Sequence, residues 1–152
     1  MRIVLQKVSQ ASVTVDSNVV SVIKTGYMLL VGISTQDTKE EVQKLSKKVL
    51  SLRMFDDDTG YGWKKSIQDV NGEILSVSQF TLMARTKKGS KPDFHLAQKG
   101  HLAKELYEEF LAELRSVLGP EKVKDGVFGA MMSCSLVNEG PVTIIFDTDE
   151  AK

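Results

Sequence analysis

The stretch Asn138-Glu139-Gly140-Pro141-Val142-Thr143 decides how the end of this chain is arranged, because its Gly-Pro step separates two runs of strand-like sequence. Residues 132–137 alternate in character and residues 142–146 are nearly all apolar, so each run predicts a β-strand. Proline has no N–H to give to a sheet, and glycine reaches backbone angles that other residues cannot. An X-Pro bond can also be cis at modest cost, which can point two carbonyl oxygens the same way. The stretch therefore predicts either a binding surface made of main-chain atoms or a plain hairpin turn.

Size and composition predict one folded domain spanning residues 1–152. Hydrophobic residues make up 41% of the chain and charged residues 26%, which is typical of a globular protein. The longest apolar runs, such as residues 27–31, are too short to cross a membrane, and the N-terminus lacks the pattern of a signal peptide. The single cysteine, Cys134, excludes an internal disulfide framework and fits a reducing compartment, so we expect a cytoplasmic protein.

Charge is balanced in total but uneven along the chain. The 20 basic and 20 acidic side chains cancel, which argues against a protein that binds nucleic acid over its whole surface. Four basic residues nevertheless crowd residues 85–91, the basic segment: Arg85, Lys87, Lys88 and Lys91. Such a cluster can contact a few phosphates, or it can be an ordinary solvated loop.

Apolar patterns predict an α+β fold with an antiparallel, barrel-like sheet and two main amphipathic helices. The sheet begins with four predicted strands arranged as a meander, at residues 2–8, 11–15, 19–23 and 27–33, the last of them central because it is continuously apolar. Further strands are predicted at residues 53–55 and 73–77. Thr38 and Glu41 form a capping box that predicts the start of the first helix. The second helix is predicted from about residue 93 to residue 118, where Gly119-Pro120 ends it.

The polar end of the predicted strand 73–77 is the best candidate for chemistry. Ser78, Gln79, Phe80 and Thr81 follow this strand, where a sheet holds side chains rigidly beside a loop that can admit a ligand. Thr81 could act as a nucleophile, but it needs a base and none is adjacent in sequence. Alternatively, the main-chain N–H groups of Phe80 and Thr81 and the Gln79 amide could hold a developing oxyanion. Both roles stay open at this point.

No cofactor or metal motif accompanies these residues. His95 and His101 lie outside any HExxH or CxxC pattern, which argues against a zinc site, and the acidic run 56–58 lacks the spacing of an EF-hand. There is no GxGxxG sequence and no P-loop. Cys134 alternates with Met132 and Leu136, which predicts a buried thiol and not a reactive one. We therefore expect neither a cofactor nor a metal ion.

Two separated segments, Ser78-Gln79-Phe80-Thr81-Leu82 and Asn138-Glu139-Gly140-Pro141-Val142-Thr143, together resemble the D-aminoacyl-tRNA deacylase family, formerly called D-Tyr-tRNA(Tyr) deacylases. Residues 6–13 and 128–131 are also similar to that family, so the resemblance covers essentially the whole chain. It implies a compact fold rich in antiparallel β-structure and an obligate homodimer. It also implies hydrolysis of the ester that joins a D-amino acid to the 3′ end of tRNA.

The resemblance also implies roles for single residues. The Gly140-Pro141 bond would be cis, and its loop would enter the partner subunit's active site, where the two carbonyls hold the substrate α-amino group and exclude an L side chain. Achiral glycine on tRNA would not be excluded. The residues that would line the reacting ester are Ser78, Gln79, Phe80 and Thr81. The family's chemistry depends on main-chain donors and on the terminal ribose 2′-hydroxyl, which favours Thr81 as a positioning group over a nucleophile.

Four further expectations concern substrate contacts. Phe128 would line an apolar slot for the terminal adenosine, or it would belong to the core, and Asn138 would be a further substrate-binding residue. Family members often have arginine, which braces the Gly-Pro loop, where Lys7 stands, and lysine cannot give the same planar brace. The basic segment would contact acceptor-stem phosphates.

Two alternative functions remain: a nucleic-acid-binding module without catalysis, and a purely structural dimer. Zero net charge and the lack of aromatic residues within the basic segment count against the binding module.

Overall fold

The computed structural model describes residues 1–149, which form eight strands and two α-helices. In chain order these are β1 (Arg2–Val15), β2 (Asn18–Ile23), β3 (Gly26–Gly32), α1 (Lys39–Ser51), β4 (Arg53–Phe55), β5 (Lys65–Ser66), β6 (Glu73–Ser78), α2 (Gly100–Leu118), β7 (Val123–Asp125) and β8 (Ser133–Asp147). Two short 3₁₀ turns lie at Phe80–Met83 and Pro120–Lys122. Six strands form one sheet, and β4 pairs separately with β5.

Strand β1 is the centre of the main sheet. Along one edge it pairs antiparallel with β3 and then with β2, and along the other it pairs antiparallel with β8 over nearly its whole length. The predictions of two strands at residues 2–8 and 11–15, and of a four-stranded meander, are wrong. A register shift against β8 between Val8 and Gln10 accommodates the polar Ser9 as an extra residue, so the strand continues where the sequence indicated a break.

The other end of the sheet is parallel. Strand β6 pairs parallel with β3, and β7 pairs parallel with β6. The Ser21 hydroxyl donates a hydrogen bond to the Asp125 carbonyl, and Lys124 Nζ donates one to the Val22 carbonyl at 2.7 Å. These bonds join β2 to β7, the two ends of the strand order, so the sheet nearly closes into a barrel. The predicted α+β class with a barrel-like sheet and two helices is confirmed, and the sheet is mixed.

Apolar side chains cover both faces of this sheet. The cluster beneath the helices contains Leu5, Tyr27 and Phe110, and the cluster on the opposite face contains Met28 and Leu75. Strand β3 therefore has buried side chains on both faces and lies between β1 and β6. Its position confirms the prediction that the continuous apolar run at residues 27–33 is a central strand.

Helix α1 begins as the sequence predicts. The Glu41 carboxylate accepts a hydrogen bond from the Thr38 N–H at 2.7 Å, and the capping box is complete. The helix turns Val42, Leu45 and Val49 inward, where they pack under the sheet.

Helix α2 is shorter than predicted, because it begins at Gly100 and not near residue 93. The segment 93–99 before it forms backbone hydrogen bonds with other parts of the chain. Asp93 exchanges two with Arg85, and the Gln98 N–H donates one to the Ile33 carbonyl at 2.8 Å. The helix ends at Gly119, which has a positive φ of 99°, as the Gly-Pro signal predicts. Within residues 1–149, neither helix is long and apolar enough to span a membrane.

Strand β8 runs straight through the Gly-Pro step, so the hairpin alternative is wrong. Asn138 lies opposite Val8 and Thr143 lies opposite Gln6, which leaves residues 139–142 opposite Lys7 alone. The surplus residues form a bulge, the Gly-Pro loop, and the chain does not reverse because β1 offers a partner on both sides of it. The Gly140-Pro141 peptide bond is cis. Among the described residues β8 pairs with β1 only, so its outer edge is free.

Candidate active site

The end of β6 is shaped by a tight turn against β3. The Gln79 N–H donates to the Val31 carbonyl at 2.7 Å, and the Gln79 carbonyl accepts from the Leu82 N–H at 3.2 Å, which closes the 3₁₀ turn Phe80–Met83. A Cβ at Gly32 would lie 2.9 Å from Leu82 Cβ. The glycine at the end of β3 therefore lets the turn pack directly on the sheet.

A cavity of about 610 Å³ opens beside this turn. Its walls come mainly from the end of β6, the segment that leads into α2, and the loop that leads into β8, with further residues from the end of β3, from α2 and from β8. The lining residues are Val31, Ile33, Val77, Ser78, Gln79, Phe80, Phe94, Ala97, Gln98, Lys99, Gly100, Ala103, Phe128, Gly129, Ala130, Met131, Met132 and Cys134. Small-molecule sites are of this size and are mainly apolar with a few polar groups, so this cavity is the candidate active site.

Aromatic rings stand at two walls of the cavity. Phe80 is 56% exposed and packs edge-on against Phe94, with ring centroids 5.1 Å apart. Phe128 lies 5.8 Å from the ring of Tyr107, whose hydroxyl donates to Ser76 Oγ at 3.1 Å inside the core. Burial raises the pKa of Tyr107 well above its usual value, so the hydroxyl keeps its proton and its bond. Phe128 therefore lines the cavity while it rests on the core.

Thr81 lies beside the cavity and not in its lining. Its hydroxyl is exposed and accepts a hydrogen bond from Gln79 Nε2 at 2.5 Å. Within residues 1–149, that amide is the one side chain hydrogen-bonded to Thr81, and an amide cannot take up a proton as a base. The first two N–H groups of a 3₁₀ turn have no acceptor inside the turn, so those of Phe80 and Thr81 can donate outward.

The Gly-Pro loop is held by Asn138. Asn138 Oδ1 accepts from the Val142 N–H at 2.9 Å, and its Nδ2 donates to Thr143 Oγ1 at 2.9 Å, so the amide spans the base of the loop. Gly140 and Pro141 are exposed, and neither is in the cavity lining of its own chain. The sequence suggested a substrate contact for Asn138 and missed this bracing role.

The Lys7 side chain contacts an aromatic ring of the core. Its ammonium lies 5.0 Å from the ring centroid of Phe55, in cation–π geometry. Phe55 in turn stacks on Tyr27, with centroids 5.4 Å apart. The Gly-Pro loop is therefore held by the side-chain amide of Asn138, two residues before Gly140.

The basic segment begins where Arg85 pairs with Asp93, one residue before Phe94 of the cavity lining. Arg85 and Asp93 exchange two backbone hydrogen bonds, of 2.8 and 2.9 Å, which close the loop between them next to Phe94. The four basic residues are exposed and none lines the cavity: Arg85, Lys87, Lys88 and Lys91. Hydrogen bonds from the His95 backbone and ring hold the pKa of Asp93 below its usual range.

Two observations correct or extend the sequence analysis. Cys134, predicted to be buried, is exposed and lines the cavity because β8 is an edge strand; partial desolvation raises the pKa of its thiol. The lining residues of the segment leading into α2, among them Phe94 and Lys99, were missed. No motif marks that segment, and Gly100 was the one signal that the helix begins after it.

In the described part of the chain, no three His, Cys, Asp or Glu side chains are grouped closely enough to hold a metal ion.

Comparisons with known proteins agree over the whole chain. The family model described as D-Tyr-tRNA(Tyr) deacylase matches residues 4–147. A D-aminoacyl-tRNA deacylase from Saccharomyces cerevisiae is 76% identical over 150 residues, which cover 99% of this chain and 100% of that protein. A solved structure named c-Myc DNA Unwinding Element Binding Protein superimposes with a TM-score of 0.93 at 47% identity, covering 97% of this chain and 99% of that one.

A more distant structure, described as a probable eukaryotic D-amino acid tRNA deacylase, has a TM-score of 0.84 at 20% identity. It covers 95% of this chain and 97% of its own length, and at this identity it shows the fold alone. The yeast protein is far more similar to this chain, at 76% identity, and the family model matches residues 4–147. The chain therefore belongs to the D-Tyr-tRNA(Tyr) deacylase family.

Proposed function

We propose that this hydrolase, acting as one deacylase domain over residues 1–152, cleaves the ester bond of D-aminoacyl-tRNA and releases free D-amino acid and tRNA. One observation carries the proposal: Ser78, Gln79 and Phe80 line one cavity together with Phe128, in a chain that matches the deacylase family over residues 4–147. The activity would remove D-amino acids from tRNA before translation uses them. We place it in the cytoplasm, where translation occurs.

The proposed site is completed by a second copy of the chain. Gly140 and Pro141 are exposed on the bulge of β8 and do not line their own chain's cavity. The outer edge of β8 is unpaired in the described residues, and its Val137 and Ile145 are 47% and 59% exposed. A free edge with exposed apolar side chains favours association. In a homodimer, the Gly-Pro loop of one subunit would enter the cavity of the other.

Chirality would then be read by exclusion. The carbonyl oxygens of Gly140 and Pro141 would accept hydrogen bonds from the substrate ammonium group, with the loop as a wall on the side where an L side chain projects. A backbone wall cannot move aside as a side chain can, so an L substrate clashes and a D substrate fits. Glycine has no side chain, and we propose that glycyl-tRNA is also cleaved.

The chemistry would need no protein nucleophile. Water adds to the ester carbonyl, and the N–H groups of Phe80 and Thr81 hold the oxyanion that forms. The bond to the ribose oxygen then breaks, and that oxygen takes up the proton that the water has lost. We assign Thr81 to positioning, which its hydrogen bond from Gln79 supports. In Thr81→Val, kcat should fall by about tenfold, whereas loss of a nucleophile costs a factor of about 10⁴ or more. A loss of that larger size would contradict the assignment.

The decisive experiment compares D-Tyr-tRNA, L-Tyr-tRNA and Gly-tRNA under the same conditions, with a metal chelator present. We expect rapid hydrolysis of the D ester, survival of the L ester, and measurable loss of the glycyl ester. Equal hydrolysis of both tyrosyl esters would refute selection by exclusion. Protection of all three esters by bound protein would refute hydrolysis and would favour a nucleic-acid-binding module.

A further inference from the structure

The cavity has one charged residue in its lining, as far as residues 1–149 define it, and that residue is Lys99. It lies in extended conformation immediately before α2. The rest of the lining consists of apolar side chains, glycines and a few neutral polar groups. A single cation beside an apolar cavity favours a ligand with a flat apolar body and one negative charge at its end.

The Lys99 ammonium is not engaged within the described chain. The hydrogen bonds of the residue use its backbone: its N–H donates to Gln98 Oε1 at 3.0 Å, and its carbonyl accepts from the Ala103 N–H at 3.5 Å. By contrast, the Lys104 ammonium forms an ion pair with Glu108 at 3.9 Å. The Lys99 side chain is exposed, and a Cβ added at the neighbouring Gly100 would meet no atom within 4 Å. An anion can therefore approach Lys99 without displacing a partner or a side chain.

We propose that Lys99 binds the phosphate that links the terminal adenosine of the substrate to the preceding nucleotide. The inference rests on the proposed function and adds to it a residue and the substrate group it binds. The ester is neutral and the substrate α-amino group is positive, so this phosphate is the one anionic group next to the terminal nucleoside. Lys99 attracts the phosphate and repels the ammonium.

This charge gives the substrate a direction in the cavity. The phosphate end lies toward the start of α2, and the aminoacyl end lies away from Lys99, toward the turn after β6 whose N–H groups would hold the oxyanion. Lysine suits this task because phosphate binding needs a point charge and not a planar fork. The contact carries no base information, which fits an enzyme that acts on many tRNAs.

The experiment uses two small substrates that differ in one phosphate: 3′-O-(D-tyrosyl)adenosine and its 5′-monophosphate. For Lys99→Ala, KM for the phosphorylated ester should rise about tenfold while KM for the nucleoside ester and both kcat values stay unchanged. Lys99→Arg should restore the low KM because it keeps the charge. Lys104→Ala removes a nearby lysine, in the first turns of α2 and outside the cavity lining, and should change neither KM, so it is the matched control.

A binding measurement tests the same contact without turnover. By calorimetry, the wild-type protein should bind adenosine 5′-monophosphate about tenfold more tightly than adenosine, and Lys99→Ala should lose this preference. An equal KM increase for both esters, or a preference that survives in Lys99→Ala, would overturn the proposal. If the wild-type protein hydrolyses neither ester, the proposed function fails, whereas the nucleotide preference still decides the role of Lys99.

Discussion

The turn after β6 and the Gly-Pro loop of β8 are assigned by family resemblance to one site, yet they are built differently. The turn is tied to the Val31 carbonyl through Gln79 and to Arg2, whose Nη1 donates to the Leu82 carbonyl at 2.6 Å. The loop is held by the Asn138 side chain and stands exposed at an edge that is unpaired among residues 1–149. The contrast teaches that one part of the sheet is packed tightly and forms the cavity, whereas the bulge lies outside the lining of that cavity and is exposed.

The largest effect is expected when the loop itself is reshaped. Gly140 has a φ of +130°, and a Cβ there would lie 2.6 Å from Val142 Cγ2 and 2.9 Å from the Val142 nitrogen. Gly140→Ala should therefore lower kcat/KM for D-Tyr-tRNA by at least about a hundredfold, because the carbonyls are displaced. Its melting temperature should fall by only a few degrees, because the loop is exposed.

Gly60→Ala is the matched control for that variant. Gly60 also has a positive φ, of 87°, but a Cβ there meets nothing within 4 Å and the residue is not in the cavity lining. The control should show a similar small loss of stability and full activity. Full activity in Gly140→Ala as well would show that the loop has no part in the reaction.

A smaller effect is expected when the brace is removed and the loop sequence is kept. Asn138→Ala deletes both side-chain hydrogen bonds, and Asn138→Asp keeps an acceptor for the Val142 N–H while it loses the donor to Thr143. Activity should fall about tenfold in the alanine variant and less in the aspartate variant, with each lost bond worth about 1 kcal/mol of unfolding free energy. Steady-state kinetics and urea denaturation measure the two quantities. The reverse order of the variants would mean that Asn138 acts on substrate and not on the loop.

These contrasts show which features a sequence can predict. The capping box of Thr38 and Glu41 and the stop at Gly119 are correct because each depends on residues a few positions apart. The start of α2 and the continuity of β8 were missed, because Gln98 is held by the distant Ile33 and the bulge is bridged by β1. Long-range pairing overrode local turn and helix signals in both places.

The candidate site shows the same difference between residues that a local motif marks and residues that only the fold brings together. Ser78, Gln79, Phe80 and Phe128 were chosen by resemblance, and the fold brings them to one cavity. Lys99 carries no motif, so only the folded chain places it there. The assignment of Gly140 and Pro141 to the same site stays a prediction, because it depends on a contact between chains that no intrachain pattern encodes.

The link between the turn and β8, the strand that carries the loop, should depend on pH. The Arg2 guanidinium contacts Asp147 at 2.7 and 2.8 Å and donates to the Leu82 carbonyl, so it joins the end of β8 to the turn. Burial opposes ionisation of Asp147, but hydrogen bonds from the Asp149 N–H and from Arg2 more than offset it, and its pKa is lowered.

A lowered pKa means that the carboxylate stabilises the fold at pH values above its unfolded pKa, near 4, and that this stability is lost as pH falls through the lower folded value. The melting temperature of the wild-type protein should therefore drop between about pH 4 and pH 2 by more than that of Asp147→Asn, which has no carboxylate to protonate. Parallel curves for the two proteins would show that the pair does not contribute. Scanning calorimetry across this range measures the difference.

The smallest effect is expected in the basic segment, which lies outside both regions. The double change Lys87→Ala and Lys88→Ala should weaken binding of every charged tRNA by about the same factor, fivefold or so, and should flatten the dependence of affinity on salt. Replacing Lys64, a lysine in another exposed loop, is the control. An effect confined to one tRNA would show sequence readout and contradict a phosphate contact.

The pairing of β1 with β8 also has a consequence for synthesis on the ribosome. Arg2 and Asp147 are partners 145 positions apart, so the first strand to emerge receives one of its neighbours last. At translation speeds of about 5–20 residues per second, the edge of β1 stays open for roughly 6–30 s. During that interval the nascent chain presents an unpaired β-edge that other chains can join. Slowing translation shortly before β8 should therefore raise the aggregated fraction of newly made protein.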